Sequence, residues 1–570
     1  MAGKNRITKI PADTLVNKNS NRFYLMLSTL VINLLALAMP IMMLQTYDRI
    51  LPSHGIGTLV LLISGVACAV TLEVGLRLAR SYLTGWSGAV FEHKTACAAM
   101  SHLLNANVQA FEKQGAGAYI QKMAAITRLR SFYSGQALMT MVDLPFVITF
   151  LVLIGYIGGD LVFVPLTLFI LFCIISWIVG IRLKQEVKEQ DFSDKIRYNF
   201  LIETLTGIHS IKSQGLEKFF FRRNDRLQNR ISAAHFQVAL SNNIAMSSGM
   251  LFGQIMTVSV VSYGAIKVLN GDMGTGGLAA CLLLSGRVMQ PVQRALGLWT
   301  RFQSFFIDKK ELEDIFALPG SSYGDTETVM QPTGLVSCRN LSFSYGEKSS
   351  LLFDDINLSL RTGQSISLIG EQGSGRTTFI NLLTGLYKPT EGQITIDGAN
   401  PSQVSPVQLA SHIGYLPEKG AIFHGTIMEN LTFFGTIPEK DALKAAEHLE
   451  VSEAVALLPN GYKTVLSDSV TDPIPPGLKQ RISIARALAT RPRIILFNNA
   501  DRNLDRSGYN LVFRILGRLK KNTVLIIISD DRNILRLADK EYYIVNGKLE
   551  ENAPVDSKLF SVLPFRELRA

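Results

Sequence analysis

Little in this sequence supports metal–sulfur or disulfide chemistry. The five cysteines (Cys68, Cys97, Cys173, Cys281 and Cys338) are scattered, with no CxxC and no histidine at ligand spacing. Neither a zinc site nor a disulfide framework follows. Charge is also scarce: charged residues make up 18%, against 47% hydrophobic, with a mean hydropathy of +0.22. That balance leans toward a membrane protein. The formal net charge is +11, yet no basic run interleaves with aromatics. Nucleic acid is therefore not expected as a partner. Lys4, Arg6, Lys9, Lys18 and Arg22 instead precede the first apolar span, and further Lys and Arg fill the long loops. This is the placement that positive-inside topology requires. The N-terminus is polar for about 22 residues, unlike a cleaved signal peptide.

At 570 residues, two or more domains are expected. Apolar segments long enough to cross a hydrocarbon core, at about 20 residues each, run at 23–45, 57–78, 137–158, 161–181, 244–268 and 276–299. Their connections alternate. YDRILPSHGI, GD and LNGDMGT are short, while the two others span about 60 residues rich in Lys and Arg. With a cytoplasmic N-terminus, both long connections lie inside, as spans extended into helical hairpins. AFEKQGAGAYIQKM (110–123) and LIETLTGIHSIKSQGLEKFF (201–220) mark the turning points. The sixth span carries Arg287, Gln290, Gln293 and Arg294. Such residues face a bundle interior or aqueous cavity, or Arg294 snorkels at a helix end.

After Trp299 the character changes. RFQSFFIDKKELEDIFALP reads as an amphipathic helix, and PGSSYGDTETVMQPTG (319–334) as a linker before a soluble α/β pattern. SISLIGEQGSGRTTFINLL (365–383) then reads as strand, Gly-rich turn and helix. Gly370, Gly373 and Gly375 let backbone amides approach phosphate oxygens, and the helix N-terminus adds its positive dipole end. The pattern G-x-x-x-x-G-K-[ST] is matched from Gly370 to Thr377 with Arg376 in the lysine position. Arginine keeps the charge on a longer, planar group. Such loops work with acids at the end of a second strand, but IILFNNADRNLD (494–505) ends its apolar run in two amides, Asn498 and Asn499.

Over nearly its whole length the chain resembles the ATP-binding cassette (ABC) exporters. Tyr345 in LSFSYG, GQITIDG (392–398), IGYLPEKGAIFHGTIMEN (413–430) and KQRISIARALATRPRIILF (479–497) follow in the family's order. MLQTYDRILP (43–52) and LLLSGRVMQPVQRALGLWTRFQ (282–303) are similar to the type I secretion exporters of Gram-negative bacteria. The short N-terminus brings the protease/RTX-protein branch closest. The resemblance implies an α-helical six-span transmembrane domain of ABC exporter type, followed by an α/β P-loop ABC nucleotide-binding domain. The expected boundaries are a cytoplasmic N-terminal segment (1–22), the transmembrane domain with two cytosolic hairpins (23–318), a linker (319–334), the nucleotide-binding domain (335–555) and a tail (556–570). The implied location is the bacterial inner membrane, with the nucleotide-binding domain cytoplasmic.

The same resemblance assigns the site. Tyr345 stacks on adenine. Gly370, Gly373, Ser374, Gly375, Arg376, Thr377 and Thr378 hold the phosphates, and Thr377 and Glu418 ligate Mg²⁺ alongside ATP. Asn498 stands where the family has a metal-organising Asp, Asn499 replaces the catalytic Glu, Asp530 replaces the switch His, and Glu418 replaces a Gln. Ile474, Pro475, Pro476, Gly477 and Leu478 replace the LSGGQ signature, so a hydroxyl and two amide donors are lost together. These changes imply weak or absent autonomous hydrolysis.

The expected function is a subunit of a type I protein secretion exporter, acting as the degenerate half of a heterodimer with a second ABC subunit. Periplasmic adaptor, outer-membrane channel, secreted protein cargo and lipid bilayer are the implied partners. The alternatives are a non-transporting membrane scaffold or regulator, and an active homodimeric exporter with unusual catalytic residues. Retention of Tyr345 and Thr377 favours transport over a scaffold, which needs neither.

Overall fold

The computed structural model describes residues 19–133, 137–320, 333–346, 350–467 and 472–551. Most of the expected N-terminal segment and linker, and all of the 556–570 tail, lie outside them. The described chain divides into a helical unit, essentially up to Pro319, and an α/β unit from Gly320.

The helical unit contains α1 (Asn19–Leu35), α2 (Ala38–Gln45), α3 (Ile56–Leu104), α4 (Gly115–Ser131), α5 (Ala137–Gly158), α6 (Phe163–Thr206), α7 (Glu217–Leu269) and α8 (Thr275–Phe316). At ~1.5 Å per residue, the 49 residues of α3 and 53 of α7 run to about 75–80 Å. That is more than twice a ~30 Å hydrocarbon core, so these helices continue beyond it. The chain turns through short helices at Val108–Glu112, which overlaps the start of the first segment expected to turn (110–123), and at Ile208–Ser213, inside the second (201–220).

Among the described residues, four stretches are long and apolar enough to cross a membrane: Phe23–Ser53, Ile56–Leu104, Val142–Thr206 and Glu217–Leu269. The expectation was six spans. Val142–Thr206 holds most of α5 and all of α6, separated by a 3₁₀ turn at Gly159–Val162. The other difference is α8, whose Arg287, Gln290, Gln293 and Arg294 dilute its apolar run. Leu61, Ile148, Val152, Trp177, Met250 and Val258 are exposed on these helices, as lipid-facing residues should be. Phe150, Ile154, Phe172, Met256, Val260 and Leu284 form the core between them.

Arg294 does not simply snorkel. Its Nη1 pairs at 3.0 Å with Asp143 on α5, a buried carboxylate that also accepts Asn33 Nδ2 at 2.8 Å. Gln293 Nε2 donates to the Gly249 carbonyl at 2.8 Å. Beyond the apolar stretches, Arg128 bonds Asp308 and Glu311 at 2.7 and 3.1 Å, beside the Phe91–Ile126–Leu129–Leu312–Ile315 cluster.

The α/β unit has two main sheets. β1 (Val336–Phe343), β2 (Phe353–Leu360) and β4 (Glu391–Ile396) form an antiparallel sheet in the order β2-β1-β4. β3 (Ser365–Ile369), β5 (Ile413–Leu416), β6 (Ile494–Asn498), β7 (Val524–Ile528), β8 (Lys540–Val545) and β9 (Lys548–Glu551) form the second, in the order β9-β8-β3-β7-β6-β5. All its pairings are parallel except the β8–β9 hairpin. IILFN and VLIII are buried at every residue, as strands covered on both faces require. In such a sheet, ligands gather outside the carboxyl ends of the strands. Here β3, β7, β6 and β5 are consecutive neighbours, so their four ends open side by side.

Replacing Asp143 with Ala removes a buried charged acceptor of two hydrogen bonds. The expected cost is about 2–3 kcal/mol, measured as a lower Tm of the detergent-solubilised protein, with a smaller loss for Asp143→Asn.

Candidate nucleotide site

The β3 end carries the Gly-rich turn. Gly375 adopts φ +98°, and a Cβ there would lie 2.7 Å from the buried Phe353 ring, so only glycine fits. Gly373 also has positive φ, +90°, but a Cβ there would meet nothing within 4 Å. This turn leaves room for a phosphate group beside its backbone. Gly370 opens the turn and Ser374 lies within it, its Oγ buried with no hydrogen-bond partner. Arg376, Thr377 and Thr378 form the first turn of α9 (Arg376–Leu383). Thr377 is exposed and Thr378 is buried. The Tyr345 hydroxyl lies 2.6 Å from Thr378 Oγ1, and its half-exposed ring stands edge-on to Phe343 and Tyr387.

The other strand ends supply the charged groups. Glu418 follows β5, Asn498 ends β6, Asn499 comes next, and Asp530 follows β7. Arg376 Nη1 donates to Asp530 Oδ1 at 3.1 Å. Arg502 Nη2 bonds Asp530 Oδ2, and Arg502 Nη1 donates to Glu418 Oε1 at 2.7 Å. Arg376, Asp530 and Glu418, which lie far apart in sequence, therefore join Arg502 in a row of four alternating charges. Partial burial works to raise the Asp530 carboxyl, but hydrogen bonds from Arg502 and Arg376 outweigh it and hold it below the ordinary range. Hydrogen bonds to Glu418 and Asp530 raise Arg502. Asp530, Arg502 and Glu418 are each close to half-exposed. Ion pairs so placed contribute only about 0–1 kcal/mol each, too little to keep out a ligand bound at micromolar strength, about 8 kcal/mol.

Asn498 and Asn499 are buried, and both Oδ1 atoms lack a hydrogen-bond partner. Asn498 Nδ2 reaches the Tyr415 hydroxyl at 3.3 Å. Asn499 holds φ +50°, with its N–H on the Ile528 carbonyl at 2.8 Å. Asp501 Oδ2 accepts the Ser529 hydroxyl at 2.9 Å, and desolvation raises its carboxyl.

Residues 474–478 are placed by different contacts. Ile474 and Leu478 are core residues, not presented outward. Pro475 caps α10 (Pro476–Ala489), and Pro476 takes its first position, where a missing N–H costs nothing to the helix itself. Gly477 lies against the Asp505 backbone. Behind the loop, the buried Gln480 donates to the Pro417 and Ala500 carbonyls at 2.9 and 3.1 Å and accepts the Gly420 N–H at 2.8 Å. Asp472 pairs with Lys479 at 2.7 Å. Desolvation works against its charge, but Lys479 and the Ser467 N–H and hydroxyl push its carboxyl down to about 2.

This order of elements has known counterparts. The "ABC transporter transmembrane region" family matches residues 23–292 and the "ABC transporter" family matches 353–501. The chain belongs to the ABC transporters. It is a multi-pass protein of the bacterial inner membrane, with its ATP-binding unit in the cytoplasm. The transporter is 28% identical, over 91% of its own length and 74% of the relative's, to the alpha-hemolysin translocation ATP-binding protein HlyB of Escherichia coli O157:H7. It is 27% identical to the exotoxin translocation ATP-binding protein PaxB of Pasteurella aerogenes, over 92% and 74%. For the leukotoxin export ATP-binding protein LtxB of Aggregatibacter actinomycetemcomitans the figure is 26%, over the same shares.

Arg502, Gln480, Asp501 and Asp472 were not singled out from sequence. Arg502 had a signal: a cation three residues past two amides, where acids are expected.

The depressed Asp472 makes a signed pH prediction. Its contribution is complete above the ordinary carboxylate pKa of about 4 and is lost as pH falls through about 2. Asp472→Asn should lower Tm at pH 7, and the gap to wild type should close between those two values. Gln480→Ala leaves three backbone groups unpaired, two of them buried, and should cost about 3 kcal/mol in denaturant titration.

Proposed function

We propose that this transporter is a subunit of a type I protein secretion exporter that binds ATP and hydrolyses it weakly or not at all. It acts as the degenerate half of a heterodimer with an intact ABC subunit. A periplasmic adaptor, an outer-membrane channel and a secreted protein cargo complete the assembly. The relatives' names support the export role. The ion-pair row carries the rest. Asp530 and Glu418 are both tied to arginines, and Asn498 and Asn499 are amides that accept no proton. An attacking water has no free carboxylate at the position expected for a base. Loss of a general base costs ~10²–10⁴ in rate.

ATP suits the phosphate turn, with its open Gly373, unpartnered Ser374 Oγ and the first turn of α9, and Tyr345 for adenine. Both remaining cations, Arg376 and Arg502, sit at the strand ends where the terminal phosphates arrive. In a heterodimer, this chain removes base chemistry from its own site and offers Pro475 and Pro476 to the partner's nucleotide, so turnover rests on the partner's acids.

The purified full-length protein should bind ATP and release phosphate at background rate, and Asn499→Glu alone should not restore turnover. Hydrolysis well above background, abolished by Arg376→Ala, would overturn this reading. One observation favours that second outcome: Asp501 is a half-buried acid at this end, and its buried Oδ1 has no hydrogen-bond partner. If it serves as an alternative base, Asp501→Asn removes the turnover.

A further inference from the structure

Magnesium is held by oxygen donors in a near-octahedral shell at about 2.0–2.1 Å, with one or two carboxylates supplying the charge. The strand ends do not offer that set. Glu418 Oε1 takes Arg502 at 2.7 Å. Both Asp530 oxygens are used, Oδ1 by Arg376 at 3.1 Å and Oδ2 by Arg502. Asp501 spends one oxygen on Ser529, and Asn498 and Asn499 bring only neutral amides. Among the described residues, no three His, Cys, Asp or Glu side chains converge as a cation site. The expected Mg²⁺ pair therefore reduces to the Thr377 hydroxyl and a carboxylate already neutralised. A dication entering here meets two guanidiniums.

A polyphosphate meets the opposite situation. The Gly-rich turn, the unpartnered Ser374 Oγ and the first turn of α9 face it from β3. Arg376 and Arg502 face it across Asp530. A guanidinium fork matches the oxygens of a phosphate group bidentately.

We propose that this site binds the nucleoside polyphosphate free of divalent metal, with Arg376 and Arg502 neutralising its terminal phosphates in the cation's place. The proposal rests on the nucleotide-binding reading above and deepens it. Asp530 and Glu418 hold the two guanidiniums at the strand ends until the ligand arrives. The Arg502 pairs are half-exposed and weak, and Asp530, the partner of Arg376, is itself half-exposed, so carboxylate is exchanged for phosphate without disturbing the buried strands beneath. Tyr345, its hydroxyl anchored on Thr378, selects a nucleotide over bare pyrophosphate.

The test is calorimetric titration of ATP into the full-length protein in lipid nanodiscs, once in EDTA and once in excess MgCl₂. The expected Kd in EDTA equals or lies below that in Mg²⁺. Arg502→Ala should weaken the EDTA arm about tenfold or more, roughly the worth of a hydrogen bond to a charged group. Asn498→Asp with Asn499→Glu should reverse the preference, with poor binding in EDTA and recovery in Mg²⁺. A wild-type Kd more than about threefold lower in Mg²⁺ overturns the proposal and leaves the nucleotide-binding reading standing. ATP binding in neither arm overturns both. The wild-type comparison decides without any variant, so a poorly folded Arg502→Ala protein does not blunt it.

Discussion

Parallel pairing of β3, β7, β6 and β5 is the constraint on which the rest of the α/β unit depends. Parallel strands whose ends are level deliver their following residues to one edge of the sheet. The Gly-rich turn, Asp530, Asn499 and Glu418 come from positions up to about 160 residues apart, yet each is the first or second residue beyond a strand. The Asn499 N–H on the Ile528 carbonyl carries the pairing one step past β6. It leaves Asn499 in a left-handed conformation that asparagine tolerates better than most residues. β6 and β7 are buried at every residue, so the edge is anchored by burial and not by the polar groups it displays.

Gln480 performs the corresponding task behind the edge. One buried amide ties the segment after β5, the segment after β6 and helix α10 together through three backbone groups. The loops bearing Glu418, Arg502 and residues 474–478 thus share one anchor. Frame and display are thus made by different atoms.

Much of this was legible in the sequence, for identifiable reasons. Long apolar runs and a strand–turn–helix pattern are local properties, so the helical unit, the phosphate turn and the turning points of both hairpins could be located from spacing alone. The number of apolar stretches was less legible. A helix such as α8 carries Arg287 and Arg294, which hydropathy penalises, and the place of Arg294 is explained only by its tertiary contact with Asp143. Within the site, each residue could be placed by its motif, but their mutual pairing could not, because Arg376 meets Asp530 directly and Glu418 joins them only through Arg502. Read singly they look like losses; in space they compensate one another. Ile474 and Leu478 show the converse, since a motif position says nothing about whether a side chain faces the core.

The alternation of charges along Arg376, Asp530, Arg502 and Glu418 also bears on the history open to this protein. Changing Asp530 alone to a neutral or basic residue leaves two guanidiniums facing each other. Changing Arg502 alone leaves two carboxylates without their common partner. A new acid at Asn498 or Asn499 adds charge beside a row already balanced. Any single change in the row therefore leaves an unmatched charge until a second change restores the alternation.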